Sequence, residues 1–236
     1  MPFIRMEPPV NEAADISRLS FETIERELRG YEECARFTFR ELEVAKRLIH
    51  TTSCFSQVLE SLHFTENAVE RIMKLLVEGA LIVTDVNMIK VGLSSFYLQK
   101  YGNESVCYVN ESFAYERARK DGVTRSYAAV CEAVKRHSDR AMIFACGNAP
   151  TFIYAAVNTL IDEGIDPSNC AFILFPVGFV NVVESKEYGL SYAEEFSSAA
   201  IALKGRFGGS TSTVAALHAI YRLIEDFDSE GKYNGR

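Results

Sequence analysis

Over residues 39–49 the apolar positions Leu42, Ala45, Leu48 and Ile49 recur at helical spacing, against Glu41, Glu43, Lys46 and Arg47. The pattern predicts a helix ending in His50-Thr51-Thr52. A second helix is predicted over 65–78, with Thr65 as its N-cap and Gly79 as its stop. Beyond it the period changes. Short apolar runs at 80–83, 105–109, 141–146, 171–175 and 199–203 read as buried strands. Helical patterns over 113–120, 126–137, 151–163 and 211–224 lie between or after them. Such alternation implies right-handed crossovers. The expected fold is a single α/β domain whose mainly parallel sheet, of roughly five strands, is flanked by helices on both faces.

Residues 1–38 are weakly patterned, with Pro8-Pro9 and acidic clusters, and predict either a peripheral arm or a packed edge element. The α/β domain is expected over 39–230. No internal repeat, low-complexity tract or linker divides it.

Charge and composition narrow the function. The net charge is −7 and no basic stripe interrupts it, so a nucleic-acid partner is not expected. A small acidic substrate remains compatible if a few cations are focused in one cleft. No apolar run approaches the roughly 18 residues that span a bilayer, and the N-terminus lacks a basic-then-apolar order. A cytoplasmic protein with no membrane partner is expected. Cys34, Cys54, Cys107, Cys131, Cys146 and Cys170 are dispersed, without the close pairs of a zinc ribbon or a thioredoxin-like site. They read as reduced thiols, several inside apolar runs.

In open parallel sheets ligands bind at the carboxyl ends of the strands. The segments expected there are Thr84-Asp85-Val86-Asn87-Met88, Gly147-Asn148-Ala149-Pro150-Thr151, Pro176-Val177-Gly178-Phe179-Val180 and Lys204-Gly205-Arg206-Phe207-Gly208-Gly209-Ser210. Glycines there permit close backbone approach, and helix N-termini aim free N–H groups at the strand ends, which suits an anionic ligand. The same glycines also suit plain tight turns. The 205–209 run lacks both the Walker lysine-serine pair and dinucleotide-binding spacing, which disfavours a nucleotide. Asp85 reads equally as a helix cap or a site residue. His50, at a helix end, reads as a cap, a core residue or a catalyst, and no histidine pair has metal-ligand spacing on a helix.

Taken in order, Arg47-Leu48-Ile49-His50-Thr51-Thr52, Thr84-Asp85-Val86-Asn87-Met88, Gly122-Val123-Thr124-Arg125-Ser126, Gly147-Asn148-Ala149-Pro150-Thr151, Pro176-Val177-Gly178-Phe179-Val180, Glu184-Ser185-Lys186 and Gly205-Arg206-Phe207-Gly208-Gly209-Ser210 resemble the precorrin-8X methylmutase family, which includes cobalt-precorrin-8 members. The resemblance covers about residues 40 to 220. It departs from the family pattern at Ser53-Cys54, where an acidic residue is usual, and at Asn110-Glu111-Ser112, in place of an aspartate-proline pair.

The resemblance implies an isomerase of cobalamin biosynthesis that moves a methyl group from ring carbon 11 to ring carbon 12 of a corrin precursor. No cofactor and no resident metal are implied, and the partners implied are a corrinoid tetrapyrrole and a second copy of the chain. His50 matches the family's catalytic histidine, which donates a proton or a strong hydrogen bond to a macrocycle nitrogen. Arg125, Lys186 and Arg206 are expected to pair with substrate carboxylates, with salt bridging as their alternative role. Thr51, Asp85, Ser126, Gly147, Asn148, Thr151, Gly208, Gly209 and Ser210 are expected to add hydrogen bonds or close backbone approach, and Val177 and Phe179 to cover the ring faces. Two competing readings are a non-catalytic corrinoid-binding protein of the same fold, and an unrelated α/β enzyme with a similar rim.

Overall fold

The structure, a computed structural model, describes residues 12–229, so Pro8-Pro9 lies outside the described residues. Helices α1 (Ala13–Leu28), α2 (Phe39–Thr52) and α3 (Phe55–Ser61) precede strand β1 (Leu62–Phe64) and helix α4 (Ala68–Val77). Strand β2 (Leu81–Thr84) leads through α5 (Asn87–Gly92) and α6 (Ser95–Tyr101) to β3 (Ser105–Val106). Helices α7 (Ser112–Asp121) and α8 (Arg125–Arg136) lead to β4 (Met142–Cys146). Then α9 (Pro150–Asp162), β5 (Cys170–Leu174), α10 (Val182–Glu195), β6 (Ala199–Leu203) and α11 (Ser210–Ser229) alternate to the last described residue.

The sheet has six strands in the order β1-β6-β5-β4-β2-β3. All neighbours are parallel except β1, which runs antiparallel to β6 with Leu62 opposite Leu203. The five expected strands are β2 to β6. The sixth, β1, is three residues long, too short for an alternating pattern to announce it. The 105–109 run pairs only over Ser105–Val106.

Side chains along the central strands alternate between two cores, as a pleated strand requires. Ile82, Ile143, Ile173 and Ile201 face one core, where they meet Leu48 of α2, Ile72 of α4 and Leu217 of α11. Leu81, Phe144, Phe172 and Ala200 face the other, against Val134 of α8, Phe152 of α9 and Leu190 of α10. Helix α1 joins the first core through Ile24 and Leu28. The six cysteines are free thiols, four of them buried. No helix among the described residues is long and apolar enough to cross a membrane.

Local chemistry explains the helix ends. A capping box starts α2: Thr38 Oγ1 accepts the Glu41 N–H at 3.3 Å, and Glu41 Oε2 accepts the Thr38 N–H at 2.8 Å. The helix stops at Ser53, which is left-handed with φ 57°. Thr65, expected to cap the next helix, does not. Helix α4 begins three residues later behind Asn67, and Thr65 is buried with its Oγ1 accepting the Ala200 N–H at 2.9 Å. Pairing β1 to β6 draws that hydroxyl into the sheet.

Candidate active site

The strands' carboxyl ends form a rim whose loops are held by two buried charges. Asp85, 1% exposed, follows β2 and accepts N–H groups from the loop after β4: Gly147 at 3.1 Å, Asn148 at 2.7 Å and Ala149 at 2.6 Å. Burial pushes its carboxyl up, and the three amides oppose that by favouring the anion. Those amides are committed to Asp85. Asp85 therefore caps the approach to α9, not its own following helix.

Lys186, also 1% exposed, does the mirror-image work from α10. Its Nζ donates to the carbonyls of Leu203 at 2.5 Å, Gly205 at 2.8 Å and Phe207 at 2.8 Å, which fixes the loop from β6 to α11. Burial lowers the ammonium to about 8, while three carbonyl acceptors for its three N–H groups favour the charged form.

The glycines let these loops touch one another. A Cβ on Gly147 would lie 2.6 Å from Ser210 Cα, and one on Gly208 would lie 2.3 Å from the Phe175 carbonyl oxygen. Gly209 donates its N–H to that same oxygen at 2.8 Å. The loops after β4, β5 and β6 thus form one continuous ledge.

Helix α2 delivers His50 to this end of the molecule. It packs on α11 in the opposite sense: Lys46 shares a cavity wall with Leu223, and Thr51 shares one with Ser210. The His50 imidazole is exposed and opens into a largely apolar cleft of about 480 Å³ between α1 and the end of α2, lined by Ile16, Leu19, Ile24, Ile49 and Phe55 among others. It stacks on Phe21 of α1, with ring centroids 5.0 Å apart and planes 7° apart. Burial, then the nearby Arg47 and Arg222, hold its pKa below the usual value.

On the other side of the same helix end, Thr51, Met88, Ser210 and His218 line a cavity of about 330 Å³ with Arg47. Thr51 Oγ1 donates to the Arg47 carbonyl at 3.0 Å. His218 Nε2 accepts the Ser94 N–H at 3.1 Å.

Arg125 sits at the start of α8 and reaches Tyr115 Oη at 2.5 Å and Asn110 Oδ1 at 3.4 Å, with its guanidinium 4.6 Å above the Tyr115 ring. Next to it, Thr124 Oγ1 and Thr151 Oγ1 are hydrogen-bonded at 2.7 Å, which ties α8 to α9 beside half-buried Ser126. Arg206 lies 5.4 Å from the Phe179 ring centroid, and both Phe179 and Val177 are exposed. Asn148 is exposed on its loop. None of Arg125, Lys186 and Arg206 is paired with a carboxylate of a described residue.

The structure therefore brings Asp85 to Gly147 and Asn148, Ser210 to both Gly147 and Thr51, and, through the Thr124–Thr151 hydrogen bond, the start of α8 to Thr151. It keeps His50 in a separate cleft, across the end of α2 from Thr51. Three neighbours went unselected by sequence reasoning: Phe21, Arg47 and His218. Arg47 was signalled, since it lies one turn before His50 on the same helix. Phe21 carried no such sign, being 29 positions away in the chain.

With this geometry in place, comparison with known proteins is direct. The sequence model of a family described as precorrin-8X methylmutase matches residues 15–223. A cobalt-precorrin-8 methylmutase from Priestia megaterium is 35% identical over 216 residues, covering 92% of this chain and 89% of that protein. A precorrin-8X methylmutase from Sinorhizobium sp is 32% identical over 204 residues, covering 83% of this chain and 89% of that one. The crystal structure of a precorrin-8X methylmutase from Thermus thermophilus superposes with a TM-score of 0.77 at 34% identity, over 95% of this chain and all of the other. On sequence and on fold alike, this chain belongs to the precorrin-8X methylmutase family.

Proposed function

We propose that this chain moves a methyl group from ring carbon 11 to ring carbon 12 of precorrin-8X or cobalt-precorrin-8, forming hydrogenobyrinic or cobyrinic acid. The bond to carbon 11 breaks as the bond to carbon 12 forms within one molecule. Substrate and product are isomers, so atoms and electrons balance without a co-reactant.

The observation that carries this reading is the placement of His50. A lone imidazole opens into an apolar cleft, and no described residue hydrogen-bonds to either ring nitrogen. An apolar wall with one proton donor suits an unsaturated macrocycle that needs a proton, or a strong hydrogen bond, on a ring nitrogen. General-acid assistance of this kind is typically worth about 10²–10⁴-fold in rate.

Along the rim, on the other side of the α2 end from the His50 cleft, Arg125 and Arg206 take peripheral carboxylates, for which guanidinium geometry is well suited. The hydroxyls of Thr51, Ser126, Thr151 and Ser210, with the Asn148 side chain, add hydrogen bonds, and Gly208-Gly209 allows close backbone approach. Val177 and Phe179 cover a ring face. Asp85, Gly147 and Lys186 act by shaping the ledge rather than by touching substrate. In this reading the enzyme is a cytoplasmic homodimer, with exposed apolar side chains such as Met88, Val91 and Phe96 offering surface to a second copy.

The test is an anaerobic assay with precorrin-8X and cobalt-precorrin-8 in parallel, following the visible spectrum for wild type and His50→Ala. Wild type converts at least one substrate, and His50→Ala binds product but loses about 10²-fold or more in kcat. Product binding without conversion by wild type would leave a corrinoid-binding protein. Full turnover by His50→Ala would remove the histidine from the mechanism.

A further inference from the structure

Catalytic histidines are commonly oriented by a hydrogen bond from the ring nitrogen that does not react. His50 has no such partner among the described residues. Among the described residues its one close ring contact is the face of Phe21, in a nearly parallel stack with centroids 5.0 Å apart. Phe21 itself is held by further contacts. The Arg47 guanidinium lies 4.7 Å from the Phe21 ring centroid, and α1 is anchored on the core by Ile24 and Leu28, one and two turns further on.

The two sides of this stack open into different spaces. His50 lines the apolar cleft of about 480 Å³, and Phe21 does not. Phe21 lines a separate cavity of about 220 Å³ with Arg47, Arg222 and Glu43. The imidazole thus borders the larger cleft and the phenyl ring the smaller cavity.

We infer that Phe21 is a positioning residue for the methyl shift, holding the His50 imidazole at a set angle by ring stacking and shielding one of its faces from water. This rests on the reading of His50 as the proton donor. Stacking is suited to the task because it fixes the ring plane while leaving both nitrogens available, one to donate and the other to remain solvated. A hydrogen-bonded carboxylate would orient the ring equally well but would raise its pKa. Here the charged groups facing the imidazole are Arg47 on its own helix and Arg222 on α11, with Glu27 of α1 on the cleft wall. The two arginines act with burial to favour the neutral ring.

Three variants test this. Phe21→Tyr keeps the flat ring, Phe21→Leu keeps apolar cover without it, and Phe21→Ala removes both. Each is checked for folding by circular dichroism and thermal melting. The expected result is a fall in kcat of about 10- to 100-fold for the leucine and alanine variants, with KM within about twofold, since misplacing a reacting group by an ångström costs on that order. Phe21→Tyr should stay within about threefold of wild type, the rescue a ring-specific role requires. The His50 ring titration, followed by NMR without substrate and assigned by its loss in His50→Gln, should move to higher pH in Phe21→Ala. A folded leucine variant turning over at the wild-type rate would overturn the proposal, as would an unchanged His50 titration in Phe21→Ala. If His50→Gln itself proves fully active, the assignment of His50 fails instead, and the titration still reports whether Phe21 controls the imidazole.

Discussion

Asp85 Oδ2 accepts the backbone N–H of Asn148 at 2.7 Å, joining the end of β2 to the loop after β4 across the sheet. The same oxygen takes Ala149, and Oδ1 takes Gly147, so one carboxylate satisfies three successive amides at a position with almost no solvent. The anion is what makes this possible, because both oxygens must accept.

Asp85→Asn breaks that symmetry by setting an amide NH₂ against at least one of those N–H groups. Leaving a buried donor unpaired costs about 1–3 kcal/mol. The urea midpoint should fall accordingly, and hydrogen exchange should quicken at 147–149 ahead of the rest of the sheet. An unchanged midpoint with normal protection would show that the loop holds its shape without the carboxylate.

Lys186 is the counterpart on the other half of the ledge. Lys186→Met keeps the apolar stem and strips the three donors from the carbonyls of Leu203, Gly205 and Phe207. Those carbonyls lose the partner they share, for a loss of about 2–4 kcal/mol. Denaturant unfolding measures the loss directly. Wild-type stability in the methionine variant would mean that water replaces the ammonium at no cost.

The four histidines set a pH dependence of stability. His50, His63, His137 and His218 all have pKa values lowered from 6.5, with burial the first cause in each. Below pH 6.5 the unfolded chain binds protons that the folded chain resists, so stability rises with pH in this window and is lost as pH falls through it. His218 contributes a specific part: protonating Nε2 breaks the bond it accepts from the Ser94 N–H. The raised Asp85 carboxyl has the opposite sign, in a window starting at its ordinary 3.8. Urea midpoints should be lower at pH 5.5 than at pH 7.5, and His218→Gln should reduce that difference. A midpoint independent of pH between these values, or higher at pH 5.5, would contradict the burial assigned to these rings.

Much of this architecture is legible in the chain because it is periodic. Strands β2, β4, β5 and β6 announce themselves as apolar runs, since both of their faces are covered by helices. Strand β1 does not, because it is three residues long and owes its existence to pairing with β6. Thr65 misleads for the same reason: a capping residue by type, it spends its hydroxyl on the Ala200 N–H, which only the folded sheet brings near.

By itself the sequence determined the order of strands β2 to β6 and of helices α2, α4, α7, α8, α9 and α11, the motifs of the rim and the presence of a histidine at the end of α2, but not β1 or helices α1, α3, α5, α6 and α10. Each of these is written in neighbouring residues, as hydrophobic period, turn chemistry or contiguous motif. Tertiary structure decided what those residues do to each other. It spent Asp85 and Lys186 on loop backbones, left Arg125 and Arg206 unpaired with any carboxylate of a described residue, and laid Phe21 flat against His50. The reason is that a buried charge takes whichever partners the chain path leaves within hydrogen-bond reach. Nor does the spacing of Phe21 and His50 in the chain contain the angle at which α1 crosses α2.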